Sequence, residues 1–150
     1  MRLALYQPDI PQNTGTLLRM AACLGVPVDV IGPAGFDMSD RSLRRAGLDY
    51  LDYVDLTRHV SWDAFRANRK GLGLILLTSH ATTAHVGYNF QRDDVLLLGR
   101  ESAGVPGYVR DAADHTLRIP MQPGMRSLNI AVAGAIVLGE ALRQTGGFAP

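Results

Sequence analysis

Short apolar runs alternate with longer amphipathic stretches along the whole chain. RLALY (2–6), VPVDVIG (26–32), GLILLTS (73–79), DVLLLGR (94–100) and TLRIPM (116–121) have the composition of strands. LILL and VLLL are unbroken rather than alternating, which predicts strands covered on both faces. Between these runs the pattern predicts helices near 14–24, 39–46, 61–69, 106–113 and 128–144, and YLDYV (50–54) is a candidate edge strand. Alternation of this kind predicts an α/β domain with a mostly parallel sheet and helices on both faces.

Two helices carry more information than the rest. Asn13 or Thr14 is a suitable N-cap for the first, and Gly25 is its stop. On a wheel of about 100° per residue, Leu17, Met20, Ala21 and Leu24 share one face, and Arg19 and Cys23 lie opposite. Arg19 is therefore expected in solvent. The last helix is apolar all round, with Ala131, Ala133, Gly134, Ala135 and Gly139 spread about its circumference. Such a helix is expected to be buried on every side, against its own sheet and a second subunit. Yet it opens at RSLN, with Arg126, Ser127 and Asn129, after the stiff loop IPMQPGM. A polar mouth on a buried helix suits a ligand.

Composition narrows the function. A length of 150 residues suits one domain (1–150), and no repeat or linker divides it. The apolar run after Asn129 is too short, and too polar at its end, to span a bilayer; the start of the chain lacks a signal-peptide core, so a cytoplasmic location is expected. The single Cys23 excludes an intrachain disulfide and a multi-cysteine metal site. His59, His80, His85 and His115 lack zinc-site spacing and are expected at the surface or in loops, so no metal is expected. With 15 basic and 14 acidic residues, net charge gives no argument for nucleic acid. Distribution is more telling, because Arg41, Arg44 and Arg45 crowd into DRSLRRAG. Guanidinium forks suit phosphate, although a solvated helix face reads the same way. Neither GxGxxG after the first strand nor GxxxxGK[ST] is present, which argues against a dinucleotide oxidoreductase and a nucleotide hydrolase. Ser102 and Ser127 have no nucleophile-elbow context.

In parallel sheets ligands gather beyond the carboxyl ends of strands. Three such ends carry glycine, hydroxyl or proline loops: LLTS (76–79), LLLGRESAGVP (96–106) and IPMQPGMRSLN (119–129). Glu101 can accept loop amides there, or orient a neighbouring arginine.

Three ordered signatures identify a family. PDIPQNTGTLLRMAACLG (8–25), LLLGRESAGVP (96–106) and IPMQPGMRSLNIAVAGAIVLGEALRQ (119–144) resemble the SPOUT-class RNA 2′-O-ribose methyltransferases, and most closely the small tRNA (cytidine(34)-2′-O)-methyltransferases. RRAGLDY (44–50) and TRH (57–59) resemble the same branch. The resemblance spans nearly the whole chain, without the separate RNA-binding domain of larger relatives. It implies a C-terminal deep trefoil knot, which chain-path rules alone would argue against. It also implies a homodimer through the knot and last helix, with S-adenosylmethionine as cofactor and tRNA as substrate. By the motif match, Leu77, Thr78, Gly99, Glu101, Ile119, Met121, Ser127 and Leu128 hold the cofactor. Arg19 matches the family's essential arginine, Asn13 lies six residues before it, and Asn129 fixes loop or substrate geometry. Where close relatives read a small hydroxyl residue and then asparagine, this chain has Ala131 and Val132. The implied target is the ribose of the wobble nucleotide of leucine-type tRNA. Methylation of another tRNA or rRNA nucleotide, or RNA binding without catalysis, is the alternative.

Overall fold

The computed structural model describes residues 1–45 and 50–149, with the Arg45 side chain excluded. Seven strands form one sheet in the order β3-β2-β1-β6-β4-β7-β5. They are β1 (Arg2–Tyr6), β2 (Val28–Ile31), β3 (Leu56–His59), β4 (Leu74–Leu77), β5 (Thr83–Ala84), β6 (Val95–Leu98) and β7 (His115–Arg118). Every pairing is parallel. The helices are α1 (Pro11–Leu24), α2 (Asp40–Arg45), α3 (Trp62–Asn68), α4 (Gly107–Asp111) and α5 (Ile130–Thr145).

The strand side chains divide between two cores. Leu3 and Leu5 of β1 and Leu96 and Leu98 of β6 join Leu17, Leu18, Val137 and Leu138 of α1 and α5. Ala4, Tyr6, Val95 and Leu97 point the other way and meet Trp62, Phe65 and Val109 of α3 and α4. Both faces are covered, which is why these strands are continuously apolar. The α5 helix seats closely on its support. A Cβ at Gly134 would lie 2.9 Å from Leu98 Cδ1 and 3.0 Å from Leu17 Cδ2.

Three expectations about the elements need correction. Residues 50–54 form no strand; Leu51–Tyr53 is a single 3₁₀ turn, and the edge strand is β3. The α1 helix begins at Pro11 with Ile10 as its uncapped N-cap, so neither Asn13 nor Thr14 caps it. Proline at the first turn fixes the helical φ and has no N–H to leave unpaired. The α5 helix is not buried on every side within this chain: Val132 and Ile136 are 49% and 41% exposed, and Ala135 is exposed as well. Gly25 does stop α1, at φ 65°, donating its N–H to Ala22 and leaving Val26 to bond Ala21.

His59 and His85 are buried rather than superficial. His59 Nε2 lies 2.8 Å from an oxygen of the fully buried Asp29 carboxylate, which is the centre of an ion cluster. Arg2 Nε and Arg69 Nη2 donate to the same carboxylate at 2.9 and 2.8 Å. Burial opposes ionisation of Asp29, but the Arg69, Arg2 and His59 hydrogen bonds outweigh it and hold the carboxyl below its usual range. The cluster ties β1, β2, β3 and the end of α3 together.

Asp29→Asn is expected to cost about 3 kcal/mol near neutral pH, because breaking a buried ion pair leaves its partners uncompensated. The lowered native pKa makes this contribution complete above the unfolded value of about 3.8, and lost as pH falls through the lower native value. Urea melts of both proteins at neutral and strongly acid pH check this. The gap should narrow in acid; a constant gap would assign the effect to packing alone.

Candidate functional site

The order of strands reverses beside β1, which has β2 on one side and β6 on the other. Beyond the carboxyl ends there, at such a switch point, ligands are expected to bind. A cavity of about 560 Å³ opens at that place. Its walls come from the loop after β1, the ends of β4 and β6, the loop after β7 and the first turn of α5. Leu77, Thr78, Gly99, Glu101, Ile119, Met121, Ser127 and Leu128 all line it, together with Asn13 and Asn129. These positions lie up to 116 residues apart, as the Asn129–Asn13 pair shows.

A chain of hydrogen bonds assembles the site. Asn129 Nδ2 donates to Asn13 Oδ1 at 2.9 Å, and Asn13 Nδ2 donates to Glu101 Oε1 at 3.3 Å. Glu101 Oε2 accepts the Asp9 backbone N–H at 3.2 Å, and Asp9 Oδ1 accepts the Glu101 N–H at 3.1 Å. The Ser102 hydroxyl donates to the other Asp9 oxygen. Asn129 also caps α5, its Oδ1 accepting from Ala131 N at 2.9 Å and Val132 N at 3.4 Å. One asparagine thus starts the last helix and links it to the first.

The two carboxyls titrate in opposite directions. Burial and the neighbouring Asp9 push Glu101 up, while the Asn13 hydrogen bond pulls it back. Hydrogen bonding to Glu101 and Ser102 brings Asp9 down to about 2. The loop that carries Glu101 is tight: a Cβ at Gly99 would come within 2.8 Å of the Gly104 carbonyl carbon. Arg100 N and Gly104 N each bond the other's carbonyl, at 2.9 and 2.8 Å, and Gly104 takes φ 64°. Glycine at both positions lets the loop fold flat over the end of β6.

Arg19 is not brought to this cavity. It lies exposed on α1, outside the lining residues, with its guanidinium carbon 4.6 Å from the centre of the Tyr50 ring. Arg41 and Arg44 are exposed on α2, also away from the cavity, and Arg44 Nη1 donates to Asp52 at 3.0 Å. The Arg45 side chain lies outside the described residues, as do Ala46 to Asp49 of the RRAGLDY signature. Sequence reasoning gave no role to Arg100 and Arg110, which line the cavity. Arg100 stood in view inside LLLGRESAGVP, whereas Arg110 reads as an ordinary solvent position of a short helix.

Chemically, the cavity joins apolar walls (Ile10, Leu76, Leu77, Val105, Ile119) to a polar side held by Asn13, Glu101 and Asn129. That combination suits a flat heterocycle with a charged or polar tail.

Comparison with known proteins agrees with the geometry. The model of the SpoU rRNA Methylase family matches residues 1–139. A tRNA (cytidine(34)-2′-O)-methyltransferase from Beijerinckia indica subsp. indica is 60% identical over 149 residues, covering 98% of this chain and 93% of the relative. A solved structure described as giving structural insights into the 2-OH methylation of C/U34 on tRNA is 43% identical with a TM-score of 0.87, and covers 95% of this chain and 89% of its own. The SpoU methyltransferase AviRb from Streptomyces viridochromogenes, in complex with the cofactor AdoMet, is 29% identical with a TM-score of 0.80 over 96% of this chain and 60% of its own.

Asn129→Ala is expected to destabilise the fold by about 1 kcal/mol through loss of the cap. Asn129→Ser restores a capping oxygen and should recover most of that loss, without restoring the reach to Asn13. Denaturant melts of the three proteins check the order. Equal stability of the alanine and serine variants would show that capping is not what Asn129 contributes.

Proposed function

Since the chain belongs to the SpoU rRNA Methylase family, we propose that it is a tRNA (cytidine(34)-2′-O)-methyltransferase using S-adenosylmethionine. The supporting observation is the cavity in which the three signatures meet, joined by the Asn129–Asn13–Glu101 hydrogen bonds. The similarity to the Beijerinckia indica enzyme over nearly the full length of both chains carries the choice of substrate.

A volume of about 560 Å³ falls within the range of small-molecule sites, and its apolar walls and polar end match the two halves of the cofactor. Leu77, Ile119, Met121 and Leu128 would enclose the adenine, while Thr78, Gly99, Glu101 and Ser127 would meet the polar groups. When bound, the cofactor supplies an already activated methyl group, so the protein's task is alignment and electrostatics. Asn13 and Asn129 hold the loops that frame the ribose, and Glu101 keeps Asn13 in place. The Arg19 guanidinium is a five-donor cation with no acceptor, and so no general base. Its part is to grip the phosphate beside the target and to stabilise charge developing on the 2′-oxygen, with phosphate or water taking the proton.

A homodimer completes this reading. The exposed apolar stripe of Val132, Ala135 and Ile136 on α5 is suited to a second copy, and Gly139 beside it meets open space where a Cβ would stand. Because Arg19 lies outside the cavity of its own chain, its assignment to catalysis requires the cavity of the partner. The trefoil path of the C-terminal segment belongs to the same proposal. It is supported by β7 pairing beyond β4 while α5 returns across β6 and α1. Arg41, Arg44 and Arg45 would add phosphate contacts, and a cytoplasmic location fits the reading. No described helix is long and apolar enough to cross a membrane.

Incubation with labelled cofactor and total tRNA, followed by mapping, tests the function. Label is expected on the 2′-oxygen of nucleotide 34. Label elsewhere would overturn the target, and no transfer to any RNA would overturn the enzyme.

Arg19→Ala is expected to reduce turnover by about 100-fold or more, with cofactor affinity and melting temperature unchanged. Near-normal turnover would return Arg19 to the solvated surface. Ala135→Glu adds a charge at an exposed position of the single chain and should therefore cost the monomer little. Light scattering is expected to show monomers with weakened cofactor binding. A normal dimer would place the interface elsewhere.

A further inference from the structure

One rim of the cavity carries cationic and aromatic groups that the reaction has not used. Arg100 and Arg110 both line the cavity, and Tyr108 stands between them in sequence, on the first turn of α4. Tyr108 is 60% exposed, yet its hydroxyl is not free: it lies 3.0 Å from the hydroxyl of Tyr6, which is buried at the end of β1. Tyr6 is itself wedged edge-on against Trp62 with ring centres 6.1 Å apart. The exposed ring is thus fixed at its tip by a buried partner. A surface tyrosine held this way offers a flat face at little further entropy cost.

Arg100 is also held in place with donors to spare. Its Nη1 donates to Gln7 Oε1 at 3.4 Å, and Nε, 3.8 Å from Asp9 Oδ2, is buried with no hydrogen-bond partner. A guanidinium has five N–H donors, so most of this fork is unspent. Gln7 anchors it from an unusual backbone conformation, φ 42°, the one non-glycine positive φ among the described residues. The Gln7 side chain also donates to the Gly32 carbonyl at 3.4 Å. Strained conformations at the edge of a site persist when the surroundings hold them there. Three acidic groups lie near these arginines: Glu101 in the cavity lining, Asp9 beside Arg100, and Asp111 3.4 Å from Arg110. The Arg110–Asp111 pair is exposed on both sides and weakly held.

We propose that this rim binds the unpaired RNA strand flanking the methylated nucleotide, with Arg100 and Arg110 on its phosphates and a base stacked on Tyr108. Unpaired bases stack on aromatic side chains without sequence preference, and phosphates accept bidentate guanidinium contacts. The reaction requires a single ribose at the cavity mouth, so its neighbours on the strand must pass over the rim. The inference rests on the methyltransferase reading above.

Steady-state kinetics on unmodified tRNA, with calorimetric titration of S-adenosylmethionine, test it in four proteins: wild type, Arg100→Gln, Arg110→Gln and Tyr108→Ala. KM for tRNA is expected to rise about tenfold in each variant, with kcat and cofactor affinity within twofold of wild type. The two glutamine variants should also lower the slope of log K against log salt by about 0.7 each, the value for one phosphate on a single strand. Tyr108→Phe keeps the ring and should recover most of the tyrosine loss. Unchanged KM in folded variants would overturn the rim as an RNA contact. Weakened cofactor binding in Arg100→Gln would overturn it for that residue and assign the fork to the cofactor carboxylate. Failure of the wild-type protein to methylate tRNA would sink the underlying function instead.

Discussion

A single carboxylate, Glu101, holds the active end of the molecule together. Its oxygens accept from the Asp9 backbone and the Asn13 side chain, and Asn13 in turn accepts from Asn129. With the Asp9 carboxylate, which accepts from Glu101 N and Ser102, these bonds bring together loops that leave three different strands. The sheet supplies only a platform, with β1 and β6 paired from Arg2 and Val95 to Leu5 and Leu98. Burial pushes Glu101 up and the neighbouring Asp9 carboxyl does so further. The bond to Asn13 and the backbone contacts offset this cost. A polar network in a partly buried site repays its desolvation only when its members are satisfied.

The same constraint explains why the chain can combine a small size with a built cavity. Asn129 both caps α5 and reaches Asn13, so the start of the last helix is fixed to the first helix. Below that point α5 is held against Leu98 and Leu17 at Gly134, where no larger residue fits without displacing them. The far face of α5 is left apolar and open. The helix therefore serves two surfaces, its own core and the surface assigned to a second copy.

Much of this was legible in the sequence because the strands are short and two-sided. LILL and VLLL announce burial on both faces, and the glycine and proline loops mark their carboxyl ends. Two elements escaped for physical reasons. The β3 strand is LTRH, with three polar residues of four because it lies at the sheet edge, and β5 is only two residues long. Nothing local to VPVDVIG marks the ion cluster, since the Asp29 partners Arg2, His59 and Arg69 are distant in sequence. Within the site, Asn13 invited a capping role that Pro11 makes unnecessary, and its side chain is used between Glu101 and Asn129 instead. Local pattern shows where a loop begins. It does not show which distant loop will bind it.

The dependence of the site on Glu101 is most directly measured by a double-mutant cycle with Asn13, reading cofactor affinity by titration calorimetry. Glu101→Gln, Asn13→Ala and the double variant are compared with the wild-type protein. Residues joined in one network show coupling of about 0.5–3 kcal/mol. Coupling in that range is expected, with the second substitution costing little once the first is made. Strict additivity, with each substitution weakening binding independently, would contradict it.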